Sequence, residues 1–353
     1  FITSNKYLRA GYGQSLRNYF LEKTNPYLLV NLGSGMFGAT VDTSILALEK
    51  SHNKNELQAI DLVQRDNNPQ KRLENMSDYI KQNKIKISYR KNESWIILSQ
   101  IEQSIKSKIE SVGTPLKDWD ISINYGIKTG YNDAFIIDTK KREEILNNCQ
   151  TDDERNRTDE LIRPILRGKD IRRYSYDFAN KYLITTYNEY TDSNEIKHPS
   201  ININDYPAVK KHLDCYWNEI NKRQDKGDTP YNLRRCAYMD DFSKPKIIYP
   251  NMTKYLPFYL DIEGFMVNQK CFIMIGEKLN YLTSFLNSNV FKVCFKDYFP
   301  ELQGGTKELS KIFFERIPVP QNVQDRAITD EEIYQLYNFT EDEINWISSS
   351  VNK

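Results

Sequence analysis

The run LIRPILRGKDIRRY sets Arg163, Arg167, Lys169, Arg172 and Arg173 against a single acid, Asp170, which places five cations in eleven positions around Gly168. A guanidinium presents a planar fork of donors that fits a phosphate or the edge of a guanine, and an ammonium is a compact point charge that fits a phosphate. By residue type alone a solvated surface face is the plainer account, with one cation paired to Asp170. GIKTGYND offers Lys128, Thr129 and Asn132 on a loop between Gly126 and Gly130. Glycines there would let the backbone approach a ligand closely, and a tight turn before the strand AFIID explains them equally well. NLRRCAY and KPKIIYP add Arg234, Arg235, Lys244 and Lys246. These suit phosphate positioning better than base reading, because most protein–DNA hydrogen bonds go to the nucleic-acid backbone.

Other chemistry is poorly supported. GSGMFG (Gly33, Gly35, Gly38) matches the dinucleotide-binding pattern GxGxxG and follows a strand. That pattern works only if a helix starts next, so that its N-terminal amides meet the pyrophosphate. The residues that follow, ATVDTSILAL, alternate in strand fashion, so the segment reads as a loop joining two antiparallel strands. The five cysteines include no CxxC pair, and the three histidines, His52, His198 and His212, have no ligand spacing. Reduced thiols in a cytoplasmic protein are the simple reading. No residue is assigned a catalytic, cofactor-binding or metal-ligating role on these grounds.

The elements that must position the basic runs can be read from periodicity. Residues 1–50 read strand, helix, strand, strand, with Leu16, Tyr19 and Phe20 at helical spacing. The polar, Asn-rich stretch 51–94 reads as a connector. SQIEQSIKSKIESVG is an amphipathic helix with Ile101, Ile105 and Ile109 on one face and Gly113 at its stop. Residues 95–321 mix short strands (AFIID, YLITTY, PKIIYP, PFYLD, CFIMI) with helices and read as a separate α+β domain. Residues 322–353 form a helical tail with two capping-box starts, Thr329–Glu332 and Thr340–Glu343. An apolar share of 39% with 27% charged residues is that of a globular chain, and nowhere is an apolar run long enough to span a bilayer. A net charge of +1 rules out a global basic field as the argument for a nucleic-acid partner. The 24 Tyr, 16 Phe and 4 Trp could stack on bases or fill a core.

FITSNKYLRAGYGQSLRNYFLEK and NLGSGMFGATVDTSILALEK resemble the later motifs of the amino-methyltransferases that modify adenine in DNA. GIKTGYNDAFIID, LIRPILRGKDIRRY, YNLRRCAYMDDFSKPKIIYP and ELSKIFFERIPVP resemble, in the family's order, the TaqI-like C-terminal specificity domain. Such methyltransferases include the fused restriction–methylation enzymes of type IIG. The family's Asn-Pro-Pro-Tyr catalytic loop and its S-adenosylmethionine glycine loop are not found in this sequence. The resemblance therefore implies the C-terminal part of a larger enzyme, partnered with the N-terminal catalytic half of the same polypeptide. It implies an α+β fold in which residues 1–50 complete a Rossmann-like methyltransferase sheet with an antiparallel strand pair, followed by a mixed α/β target recognition domain. The implied activity is methyl transfer from S-adenosylmethionine to the exocyclic amine of adenine in double-stranded DNA. On this reading the methyl-donor pocket is not in this chain, and whether the parent also cuts DNA is open. Phe37, matching the family's loop aromatic, would stack against a target base flipped out of the duplex; a core Phe between two strands is its other reading. The resemblance turns Lys128, Thr129, Asn132, Arg163, Arg167, Lys169, Arg172, Arg173, Arg234, Arg235 and Lys246 toward DNA. The competing expectation is a non-catalytic DNA specificity subunit working with a separate methyltransferase.

Overall fold

The computed structural model describes residues 1–36, 38, 41–63, 65–66, 68–299 and 305–351. They divide into two units, Phe1–Lys106 and Ser107–Lys353.

The first unit is built on a sheet of order β1-β3-β2-β4-β5, formed by β1 (Ile2–Ser4), β2 (Asn25–Gly33), β3 (Thr43–Glu49), β4 (Leu57–Asp61) and β5 (Ile85–Ile87). β3 runs antiparallel to both β1 and β2, β4 is parallel to β2, and β5 is antiparallel to β4. Successive residues of a strand point to opposite faces, and the core divides accordingly. Leu29, Leu46 and Ala59 pack on one face with Trp95, while Val30, Leu32, Ile60 and Leu62 pack on the other.

Helix α1 (Gln14–Lys23) closes the first face. Its inward stripe is Arg17, Phe20 and Leu21, whereas Leu16 and Tyr19 are exposed. Arg17 turns inward because its guanidinium donates to the carbonyls of Tyr7 (2.6 Å), Ala10 (3.0 Å) and Glu93 (2.8 Å). Helices α2 (Pro69–Leu73) and α3 (Met76–Asn83) follow, with Met76, Tyr79 and Ile80 covering the second face. The stretch expected to be a connector thus contributes two strands and two short helices. Its apolar signal is confined to strands of only five and three residues, too short for alternation to stand out. Helix α4 (Gln100–Val112) starts from a reciprocal cap between Ser99 and Glu102 and runs across the division between the units.

The second unit carries two four-stranded sheets. One has order β18-β9-β12-β8, the other β17-β15-β19-β7. Their strands are β7 (Ile121–Tyr125), β8 (Ile136–Asp138), β9 (Ile162–Leu166), β12 (Lys181–Ile184), β15 (Lys246–Pro250), β17 (Tyr259–Asp261), β18 (Met266–Val267) and β19 (Cys271–Gly276). Two-residue ladders join β6 (Thr114–Pro115) to β21 (Pro318–Val319), β10 (Ile171–Arg172) to β11 (Ser175–Tyr176), β13 (Tyr190–Thr191) to β14 (Lys197–His198), and β16 (Met252–Thr253) to β20 (Lys307–Glu308). Helices α5 (Asn132–Phe135), α6 (Thr139–Asn147), α7 (Asp152–Leu161), α8 (Pro207–Asp214) and α9 (Trp217–Lys222) flank the first sheet in sequence, and α10 (Leu279–Leu286), α11 (Asn289–Cys294), α12 (Lys311–Phe314), α13 (Asp330–Leu336) and α14 (Glu341–Ser350) follow the second.

The mixed α+β architecture and the antiparallel β2–β3 pair agree with the sequence reading. Both capping boxes, Thr329–Glu332 and Thr340–Glu343, are formed. AFIID departs from expectation, because Asn132–Phe135 makes one helical turn before β8 begins. The turn is held by tertiary contacts, the Arg223 guanidinium lying 4.4 Å from the Phe135 ring centre and the His212 ring nitrogen 2.9 Å from the Ala134 carbonyl. Gly113 stands at the end of α4, as expected, and packing accounts for its being glycine. A Cβ there would sit 2.5 Å from the Pro318 carbonyl carbon, so the residue is small to let the β6–β21 ladder pass. Many aromatics are core, and Phe258, Phe285, Phe291, Phe295 and Phe314 form one connected set of ring contacts.

Candidate nucleic-acid interface

Three segments of the second unit run parallel and leave the fold side by side. β18 lies parallel to β9, pairing Met266 with Ile165 and Val267 with Leu166. On its other side Asn268 forms a parallel bridge with Ile127. The Ile127 amide donates to Val267 (2.7 Å), the Gly126 amide to Cys271 (2.9 Å), and the Asn268 amide to Leu166 (3.2 Å). Immediately past these pairings stand Lys128, the turn Asn268–Lys270, and Gly168–Lys169. Strand neighbours are spaced by about 4.8 Å, so GIKTGYND and LIRPILRGKDIRRY, far apart in sequence, exit within about two strand spacings of one another.

Two glycines permit this approach. A Cβ on Gly126 would lie 2.0 Å from the Asn268 carbonyl oxygen, and one on Gly168 would lie 3.1 Å from the Lys270 carbonyl oxygen. Lys128, Lys169 and Lys270 are exposed, and their ammonium groups have no carboxylate partner among the described residues. Residues 268–270 were not singled out in the sequence. A lone Lys in VNQKCF has no compositional signal, and only the parallel pairing brings it beside the two basic runs.

The remaining residues of the basic runs divide by partner. Arg167 holds Asp170 with two guanidinium hydrogen bonds of 2.8 and 2.9 Å, and its own amide donates to the same carboxylate at 2.9 Å. Asp170 is buried, so Arg167 serves to neutralise it and to shape the Gly168–Lys169 turn. Arg172 is exposed, pairs with Asp177 at 2.7 Å and donates to the Lys169 carbonyl at 2.7 Å. Arg173 is exposed, with its guanidinium 5.5 Å from the Tyr174 ring centre. Arg163 lies half-buried in β9, donates to the Gly264 carbonyl at 2.8 Å, and has its pKa lowered by burial.

Lys246 departs furthest from expectation. It is fully buried, its ammonium 2.5 Å from the Asp261 carboxylate and 2.7 Å from the Phe242 carbonyl, and burial lowers its pKa. No phosphate can reach it in this fold. KPKIIYP is a central strand of its sheet, and Lys246 neutralises an acid on the neighbouring strand β17.

The GIKTGYND loop is joined to the other basic stretch from below. Thr129 is buried, its hydroxyl donating to the Asn132 side-chain oxygen at 2.6 Å. Its carbonyl accepts from Arg223, a buried arginine that also donates to Pro230 and Asn232 and whose pKa is pushed down to about 10 by burial. Thr129 therefore sets the loop's shape and is shielded from solvent, while Asn132 remains exposed. A Cβ on Gly130 would lie 3.2 Å from Asp225 Cβ, and Asp225 in turn pairs with Arg234 at 3.0 Å. Arg235 pairs with Asp228 at 2.6 Å. Both arginines are exposed.

In the first unit Phe37 lies outside the described residues. The loop on either side of it joins β2 to β3, which are antiparallel, so no helix follows the glycines. Gly33, Gly35 and Gly38 have φ of +73°, +83° and +67°, a left-handed backbone that explains the glycines without any ligand. With a strand and not a helix after them, these glycines do not offer the helix N-terminus that a dinucleotide pyrophosphate meets. Among the described residues no group of three or more His, Cys, Asp or Glu side chains is placed to hold a metal ion, and no helix is long and apolar enough to cross a membrane.

Residues 163–319 match the family model of the TaqI-like C-terminal specificity domain. In structure the chain is similar to the type IIG restriction endonuclease BpuSI, at 14% identity and a TM-score of 0.47, over 99% of this chain and 46% of that one. It is also similar to the type IIL restriction-modification enzyme MmeI, solved in complex with DNA, at 11% identity and a TM-score of 0.44, over 90% of this chain and 37% of that one. The chain spans less than half the length of either protein.

Proposed function

From a chain in which residues 163–319 match a TaqI-like C-terminal specificity domain, we infer that the second unit is a DNA target-recognition module of a restriction-modification protein. The observation that carries this reading is the convergence of the basic runs. Lys128 and Lys169, separated by forty-one positions, are set on parallel exits either side of β18, with no carboxylate partner among the described residues. Exposed cations without internal partners cost nothing to desolvate from a carboxylate and release counterions when they meet phosphates. Arg172, Arg173, Arg234, Arg235 and Asn132 supply a second rank of donors around them. Of these, Arg172, Arg234 and Arg235 would have to exchange an exposed acid partner for a phosphate, a small cost at the surface.

The parent activity we propose is methyl transfer to the exocyclic amine of adenine, with S-adenosylmethionine bound in a part of the polypeptide beyond this chain. The first unit then contributes the end of the catalytic sheet, and Phe37 is the proposed stacking partner of a flipped base. No step through the methyl donor is derived, because the family's glycine loop for it is not found in this sequence.

The test is selection from a random duplex library at two salt concentrations, with the bound pool sequenced. Enrichment of a short adenine-containing motif, with affinity falling steeply in salt, is the expected result. Binding without salt dependence would overturn the reading. Full binding and specificity after deletion of the first unit would favour a non-catalytic specificity subunit.

A further inference from the structure

We propose that the turn Asn268–Lys270 is the central phosphate-gripping element of this module, and that Lys270, flanked by Lys128 and Lys169, completes a three-lysine cradle for one stretch of phosphodiester backbone. This rests on the DNA-recognition reading above. The turn is rigid by construction. The Cys271 amide donates to the Asn268 carbonyl at 2.9 Å, the Lys270 amide donates to the Asn268 side-chain oxygen at 3.2 Å, and the Lys270 carbonyl accepts from the Asn251 amide at 2.8 Å. The oxygen of the Asn268 carboxamide is thus committed to shaping the turn. Its NH2 group has no acceptor among the described residues, and neither has the side chain of Gln269.

The segment that leads into Lys270 lies between the segments that carry the other two lysines. Its Cβ is 3.7 Å from the position a Cβ would take on Gly168, which places it against the residue preceding Lys169. On the other flank, the Asn268–Ile127 bridge places the turn against the residue preceding Lys128. The carboxamides of Asn268 and Gln269 and the exposed lysines 128, 169 and 270 belong to these three neighbouring segments, and none of the lysines has a carboxylate partner among the described residues. Donors alone, unopposed and held on a fixed backbone, recognise an anion. Three such charges in a row with strand spacing fit a polyanion rather than a single phosphate.

The experiment is the dependence of duplex affinity on salt, measured on the whole chain for the natural sequence and for K270A, K270R and K140A. Lys140 is an exposed lysine on α6 outside the cradle. Each phosphate contact contributes about 0.9 to the slope of log K against log salt. The expected result is a slope shallower by about 0.9 in K270A, with K270R close to the natural protein and K140A unchanged. The denaturation midpoint of K270A should not move, because the side chain is exposed. A salt-dependent natural protein with an unaltered slope in K270A would overturn the cradle and leave the recognition module standing. A natural protein whose duplex binding is salt-independent would overturn both.

Discussion

The second unit uses the same residue types in two opposite ways, Arg163 and Lys169 of one basic run among them. Lys246, Arg163 and Arg223 are turned inward, where each finds fixed oxygens, the carboxylate of Asp261, the carbonyl of Gly264, and the carbonyls of Thr129, Pro230 and Asn232. Burial lowers the pKa of all three, which measures how costly their charges are to keep. Lys128, Lys169 and Lys270 stand exposed on loop exits with no carboxylate partner among the described residues, so their charges remain available to a partner. Arg167 is intermediate. It sits in the same basic run, yet its fork is spent on Asp170. A cation count therefore says little about binding until each charge is assigned a partner.

Substitutions can break this division, beginning inside. Lys246→Ala leaves Asp261 buried and unpaired, and should cost about 3–5 kcal/mol of stability, read as a fall in the urea midpoint at constant slope. Replacing both residues by apolar ones of similar volume should recover most of that loss; a double variant as unstable as the single one would show that the pair does more than neutralise itself.

Next comes Arg167→Ala, expected at about 2 kcal/mol because it strips two charge-assisted hydrogen bonds from a buried acid. Arg172→Ala, on an exposed pair, should stay within about 0.5 kcal/mol. Equal effects from the two would erase the distinction drawn between them.

On the outside, the triple variant K128A/K169A/K270A should fold normally. It should lose about 2.7 units of salt slope, which amounts to an approximately 40-fold smaller affinity change between 50 and 200 mM salt than in the natural protein. A drop in its denaturation midpoint as large as that of Lys246→Ala would contradict the assignment of these lysines to the surface.

A pH-dependent effect concerns His212, whose pKa is lowered from 6.5 chiefly by burial, with the hydrogen bond to the Ala134 carbonyl opposing, Lys141 adding to the fall and Glu144 also opposing. A depressed histidine gives stability that is complete above pH 6.5 and declines as pH falls toward the folded value, because the unfolded chain then binds more protons. The loss should not exceed about 1.4 kcal/mol per pH unit. Urea midpoints at pH 7.5 and 5.5 test it, and H212Q should flatten the difference between them.

Some of this was legible in the residues. The strand–helix–strand–strand order of the first fifty positions, the β2–β3 pairing across the glycine loop, the strands around Ile247, Leu260 and Ile273, and both tail capping boxes follow from local pattern, because period and capping chemistry act within a few residues. Other features were not. The burial of Arg17 has no local signal, since what holds it are carbonyls of residues 7, 10 and 93. β4 and β5 read as part of a linker, since strands so short gain their stability from the neighbours they pair with.

The basic runs show the limit most clearly. Local pattern alone places the chain in the α+β class, shows where its cations concentrate, and puts a strand rather than a helix after GSGMFG. The fold is what makes Lys246 a core counter-ion, gives Arg167 to Asp170, and brings the segment of the unremarked Lys270 between those of Lys128 and Lys169. The reason is that a charge acquires its role from what lies within a few ångströms of it. For these residues the deciding neighbours, Asp261, Ile127 and Leu166 among them, are brought close by strand pairing across long stretches of chain.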